Sequence, residues 1–237
     1  MSKITKKDWG VSVLACGVAA CLATTAVADE GEDGHGDEEH YDIGAYNDNG
    51  KVTIGGWDHD TESLEVANLR LFEAHFGEDP DFPNAIDEPG VGGAAADMGF
   101  DLGSTLRMNM LSGARVWNGS GFVATSTLMS VDYGPGSMNS NGGGFLDFSV
   151  TEDYDLHPIF SIDSAAASGS YLLEFTMAMD GLQTSDSFWI VFNFGMDDED
   201  FEATVEWAES NIVPVPGVLA IFTVAGASLA GRRRRNG

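Results

Sequence analysis

The chain has 237 residues, 43% of them hydrophobic, and a formal net charge of −27 at pH 7. That length and apolar content suit one domain with a packed core and exclude a chain that is disordered throughout. The charge is more lopsided in the middle, where residues 29–231 hold 37 acids against four bases. Such a body has no basic stripe with which to displace counterions from a phosphate backbone, which excludes nucleic acid as a partner. It favours solubility, saline surroundings and loose attraction of divalent cations.

Residues 1–28 join a lysine-bearing start (Lys3, Lys6, Lys7), the apolar stretch VSVLACGVAACLA and the small-residue site Ala26-Val27-Ala28. This is the layout of a secretory signal helix cut after Ala28, and its apolar run is shorter than the roughly 20 residues of a membrane span. Val18-Ala19-Ala20-Cys21 offers a second processing point, because it resembles the short box before the lipid-modified cysteine of bacterial lipoproteins. The mature chain then begins at Asp29 or at Cys21. In the first case both cysteines leave with the leader, and the fold relies on packing without disulfides.

Residues 29–42, DEGEDGHGDEEHYD, cannot bury anything and are expected to form a solvated acidic arm. His35 and His40 could join the neighbouring carboxylates around a metal, but a spacing of five fits no closed site. From residue 43 to 212 the pattern changes to short alternating or apolar runs cut by Gly, Asn, Asp and Ser. The runs DIGAY, KVTIGGW, SLEVANLRLF, TLRMNML, ARVW, GFVAT, TLMSVDY, GFLDFSV, IFSID, SYLLEFTMAM and SFWIVFNFG read as strands. Asn47-Asp48-Asn49-Gly50, between the first two strands, and Asn118-Gly119 carry hairpin chemistry. In SLEVANLRLF the two-residue period slips near Ala67, which predicts a bulge. Residues 79–99 are interrupted by Pro and Gly and read as a long surface loop. In DDEDFEATVEWAESNI, Phe201, Val205, Ala208 and Ile212 share one helical face, and the acids Asp197 to Asp200 stand where a helix start welcomes negative charge and an Asp can cap free amides. Together these elements predict an all-β domain, an antiparallel β-sandwich of the jelly-roll kind closed by one short C-terminal helix.

The body holds no Gly-x-Ser-x-Gly elbow, no His-Glu-x-x-His, no glycine-rich phosphate loop and no cysteine, so no enzyme activity and no cofactor are expected. Carboxylate pairs of the glycosidase kind stay open, because an acidic body supplies pairs everywhere and spacing in sequence does not give their separation. Asp58-His59-Asp60 is the most metal-like triplet, set against its place at a strand end where turn residues are expected. Trp57 and Trp117 are candidate sugar-stacking rings, whereas Trp189 in FWIVF belongs to a strand apolar on both faces and is expected in the core. His75 and His157 read as packed or exposed single histidines.

Residues 213–237 form the last segment. Val213-Pro214-Val215-Pro216 precedes an apolar run from Gly217 to Gly231 and the cluster Arg232, Arg233, Arg234, Arg235. A Pro-x-Pro motif, a transmembrane helix and an arginine tail in this order resemble the PEP-CTERM sorting signal of exported bacterial proteins. The strand-then-acidic-helix ending of the body is similar to that of a recurrent group of such proteins. The resemblance implies a membrane protease of the exosortase type and the export machinery as partners, with exopolysaccharide in the surroundings. It also implies location in the cell envelope, at the cell surface or in the extracellular matrix, with transient anchoring in a membrane. The family's usual Glu between the prolines is here Val215, a departure that bears on cleavage. Arginines held on the cytoplasmic side would halt export and leave the proline motif at the outer boundary. The expected role is structural or adhesive, and the alternative is a secreted carbohydrate- or calcium-binding module.

Overall fold

The computed structural model describes residues 41–214. The first hairpin follows from four residues. β1 (Asp42–Asp48) and β2 (Lys51–Asp58) pair antiparallel, and the two residues between them take left-handed φ angles of 52° at Asn49 and 92° at Gly50, the geometry of the tight turn that matches strand twist. Asn47 Oδ1 accepts the Gly50 N–H at 2.8 Å and locks it. β3 (Ser63–Ala67) completes a three-stranded sheet.

Two expectations need correction here. The run SLEVANLRLF is two strands, because the chain turns at Asn68 (φ 62°) and Leu71–His75 forms β4 in another sheet. The register slip lies opposite Gly56 and Trp57, which pair with Val66 and Leu64, so the extra residue is Glu65 and not Ala67. Residues 79–99 are also no plain surface loop. They contain β5 (Ala85–Ile86), β6 (Val91–Ala94) and the single turn α1 (Ala95–Met98), with Val91 and Met98 fully buried. The glycines that argued against a strand make this one possible. A Cβ on Gly92 would collide with the Trp57 ring, and one on Gly93 would sit 2.6 Å from the Tyr154 hydroxyl, so only a bare backbone fits between them.

The remaining strands are β7 (Thr105–Met110), β8 (Arg115–Trp117), β9 (Phe122–Ala124), β10 (Met129–Tyr133), β11 (Gly136–Asn139), β12 (Gly144–Ser149), β13 (Asp153–Leu156), β14 (Ile159–Ile162), β15 (Gly169–Met179) and β16 (Phe188–Phe194). The protein is all-β. Its largest sheet runs β12-β7-β15-β16-β4, with the β8–β9 hairpin joined to β15. A second sheet runs β11-β10-β14-β5, and β13 pairs with β6. The sheets are not wholly antiparallel, since β4 lies parallel to β16.

One face of the largest sheet supplies Leu173, Phe175, Met177, Phe188, Ile190 and Phe192 to the main core. The opposite face presents Leu71, Leu172, Trp189 and Val191 to α2 (Asp198–Asn211), whose Phe201, Val205 and Ala208 cover them. Burying Phe201 completely contributes about 1.5–3 kcal/mol. Asp198, Glu199 and Asp200 occupy its first turn, while Asp197 at the N-cap makes no side-chain capping bond. The acids therefore favour the helix through its dipole and not through a cap. Among the described residues no helix is long and apolar enough to cross a membrane. The expected signal helix and the apolar run 217–231 lie outside the described residues.

Two glycine substitutions separate close approach from ordinary strand packing. Gly92→Ala should destabilise the protein by about 1–3 kcal/mol, because the Trp57 ring must move. Gly169→Ala, whose Cβ would meet its nearest neighbour at 3.8 Å, should stay within about 0.5 kcal/mol of the wild type. Urea denaturation followed by tryptophan fluorescence measures both.

Candidate functional site

Among the described residues, a group of titratable side chains gathers where β1, the β5–β6 connection and the end of β13 meet. Asp42, the first residue of β1, is 5% exposed and its Oδ1 accepts the Gly90 N–H at 2.7 Å. Glu88 Oε2 accepts the same N–H at 3.0 Å, so two carboxylates converge on one amide. The backbone adds a second link, from Ile43 N–H to the Gly90 carbonyl at 3.0 Å. Gly90 has no side chain because Asp42 occupies its place: a Cβ there would lie 2.7 Å from Oδ1.

His157 closes the group. Its Nε2 is 2.8 Å from Asp155 Oδ1, and its Nδ1 is 3.4 Å from Glu88 Oε1 and 3.1 Å from the Asp87 carbonyl. A doubly protonated imidazolium satisfies all three oxygens, since both ring nitrogens then donate. Burial pulls the His157 pKa down, but the Asp87 carbonyl and the charges of Glu88, Asp155 and Asp42 outweigh it and leave it above the usual histidine value. Burial also raises Asp42, against the opposing pull of the Gly90 amide and His157. Glu88 is pushed up to about 7 by burial and by the neighbouring Asp42 charge. The two carboxyls act on each other as well, and the pair is shifted upward together. The arrangement can take up and release protons near neutrality while tying three segments together.

Asp42, expected at the end of a solvated arm, is thus a buried strand residue. His157, expected to stand alone, is the centre of the cluster. Sequence could not bring 42, 88, 155 and 157 together, because the link passes through a strand hidden among Pro and Gly. The other sequence candidates fall elsewhere. Asp58 Oδ1 accepts the N–H groups of Asp60 and Thr61 at 2.8 and 3.1 Å, and His59 is exposed with Nε2 3.4 Å from Asp60, so the triplet builds a turn. Among the described residues no set of three or more His, Cys, Asp or Glu side chains is placed to hold a metal ion. Trp57 is 5% exposed in the main core and offers no open ring face. Trp117 packs 5.4 Å from Phe122 and 5.3 Å from Trp207, centroid to centroid, fastening the β8–β9 hairpin to α2. The two tryptophans do not share a surface. Trp189 is buried under α2 as expected. His75 packs edge-on against Phe201 at 4.7 Å.

Val213 packs at the edge of the α2 core and Pro214 is exposed. Val215, Pro216, Gly217, Arg232, Arg233, Arg234 and Arg235 lie outside the described residues, as do Ala26, Ala28, Cys21, His35 and His40.

The cluster gives stability a pH dependence of fixed sign. Glu88 rises from an ordinary value of 4.5 to about 7 on folding, so its contribution is full below about 4.5 and is lost as pH rises through about 7. Asp42 and His157, both raised, act in the same direction. The melting temperature should therefore fall between pH 5 and pH 8, and Glu88→Gln, which keeps a donor to Asp42 without a titrating proton, should flatten that fall. An unchanged slope in the variant would show that the cluster contributes nothing to it.

No protein-family model matches this chain, and no curated protein matches it.

Proposed function

We propose that the chain is an exported protein sorted to the cell surface or extracellular matrix by a PEP-CTERM-like signal, with a jelly-roll-like sandwich as a structural or adhesive, non-catalytic body. The observation that carries this reading is the order of the last segment: Pro214 and Pro216, the apolar run 217–231, then Arg232 to Arg235. The body lends support in two ways. Val213 packs against the α2 core and Pro214 is exposed, so a protease would meet the first proline of the motif at the surface. The body's charged residues are almost all acidic, and a net charge of that size favours solubility and discourages self-association.

In this mechanism an exosortase-type protease processes the chain near Pro214 and Pro216, the apolar run holds it in the membrane meanwhile, and the arginines fix its orientation. Replacing all four arginines by alanine should release the chain from the membrane fraction of its host with the tail still attached, as read by fractionation and intact mass. Retention and processing identical to the wild type would overturn the sorting reading.

A further inference from the structure

The described residues hold 30 acids and only four bases: Lys51, Arg70, Arg107 and Arg115. Arg107 is spanned by Asp147, Nε to Oδ1 at 2.7 Å and Nη2 to Oδ2 at 2.9 Å. Arg115 Nη2 meets Glu174 at 2.9 Å. The other two bases stand together. Lys51 and Arg70 line an open surface depression, with Thr53 and Asn68 as further polar walls and Asp186 as its single acid. Three separate stretches build it: the start of β2, the link from β3 to β4, and the approach to β16.

Asp186 is engaged by Lys51, Nζ to Oδ2 at 2.8 Å. Arg70 is held differently. Its Nε donates to the Ser187 carbonyl at 2.7 Å, and its guanidinium lies over the Trp189 ring, 5.2 Å from the centroid. No described carboxylate comes within ion-pair distance of it. It is half-buried, and the loss of water lowers its pKa, against a smaller opposing pull from Asp186. The guanidinium is therefore fixed by one edge and one face, and among the described residues no carboxylate takes up its Nη donors. An arginine pinned in this way pays little entropy to bind an oxyanion, and its planar fork fits a carboxylate with two parallel hydrogen bonds. Elsewhere the acidic surface repels anions, so a negatively charged molecule meets an attractive field mainly here.

We propose that the Lys51–Arg70 pocket binds the carboxylate of a small molecule, with Arg70 gripping the carboxylate and Thr53 and Asn68 hydrogen-bonding polar groups beside it. The depression is open to solvent, so the rest of a ligand can extend outside it, and an acidic monosaccharide and a simple carboxylic acid share the required chemistry. The proposal rests on residues 51–70 and 186–189 and is independent of the sorting reading.

Titration of the full-length chain with glucuronate, acetate and glucose, followed by intrinsic fluorescence and ligand-observed NMR, tests it, because Trp189 lies directly under Arg70. Glucuronate should give a saturable response and glucose none. Acetate matching glucuronate assigns the site to carboxylates in general, and tighter glucuronate binding assigns it to an acidic sugar; both support the pocket. Arg70→Gln should weaken glucuronate binding at least tenfold, with Arg70→Lys in between. Lys51→Gln, at the rim, should weaken it severalfold by leaving Asp186 unpaired beside the ligand, and it keeps the test open if the Arg70 variants do not fold. No saturable response to glucuronate or acetate, an equal response to glucose, or wild-type binding by folded Arg70→Gln or Lys51→Gln would overturn the proposal.

Discussion

β16 is buried on both faces, and most of the architecture answers to that. Phe188, Ile190 and Phe192 point into the main core while Trp189 and Val191 point the other way. Left to water, Trp189, Val191, Leu172 and Leu71 would form a contiguous apolar patch of the kind a soluble protein does not leave open. α2 is the cover, and the chain delivers it with little freedom. Asn193, 5% exposed, accepts the Met196 N–H at 2.9 Å and donates to its carbonyl at 3.2 Å, and Gly195 takes a left-handed φ of 68°. The turn out of β16 is thereby set, and Phe201 reaches the sheet on the first face of the helix. Thr204 adds a polar anchor in the same layer, its hydroxyl 2.8 Å from both Ser170 Oγ and the Phe201 carbonyl.

Charge is the second constraint. With so few bases, carboxylates cannot generally be neutralised by ion pairs, and the fold uses them as acceptors for backbone N–H groups. Asp58, Asp79 and Asp163 each accept amides within their own turns, which places the charge in water and lets the backbone benefit. Asp42 and Glu88 are the exception, since burial and their proximity make two adjacent charges costly and raise both carboxyls above their usual range. The exposed Arg107–Asp147 pair is screened by solvent and contributes little to stability despite its good geometry. It also lays the Arg107 guanidinium over Phe145, 3.8 Å from the ring centroid, shielding an apolar side chain on a strand at the sheet's end.

How much of this was legible in the sequence depended on whether the signal was local. Strands with a plain period, such as TLRMNM and SYLLEFTMAM, lie where the alternation puts them, and FWIVF shows the unbroken apolar run of a strand covered on both sides. Asn49-Gly50 turns its hairpin as its chemistry requires. The misses are contextual. β6 is built from Val91, Gly92, Gly93 and Ala94, residues with little strand propensity, and it exists because Trp57 and Tyr154 need a flat neighbour. Tertiary packing there overrides local preference. The candidate sites were harder still. His157 gave no sign of its carboxylates, and Arg70 stands out only when the partners of the other three bases are known.

The body and the flanking segments are joined at two residues that belong to the fold. Asp42 opens β1 from inside the core, and Val213 ends the packing beneath α2. The carboxylate–histidine cluster leans on β1 and the Lys51–Arg70 pocket on β2, and both strands belong to one three-stranded sheet. The register of that sheet is fixed by the Asn49-Gly50 turn and by the slip at Glu65. A one-residue change in that register would turn Lys51 and Thr53 to the core face and expose Val52 and Ile54. The burial of Val52 and Ile54 is therefore what holds the pocket's polar side chains toward solvent.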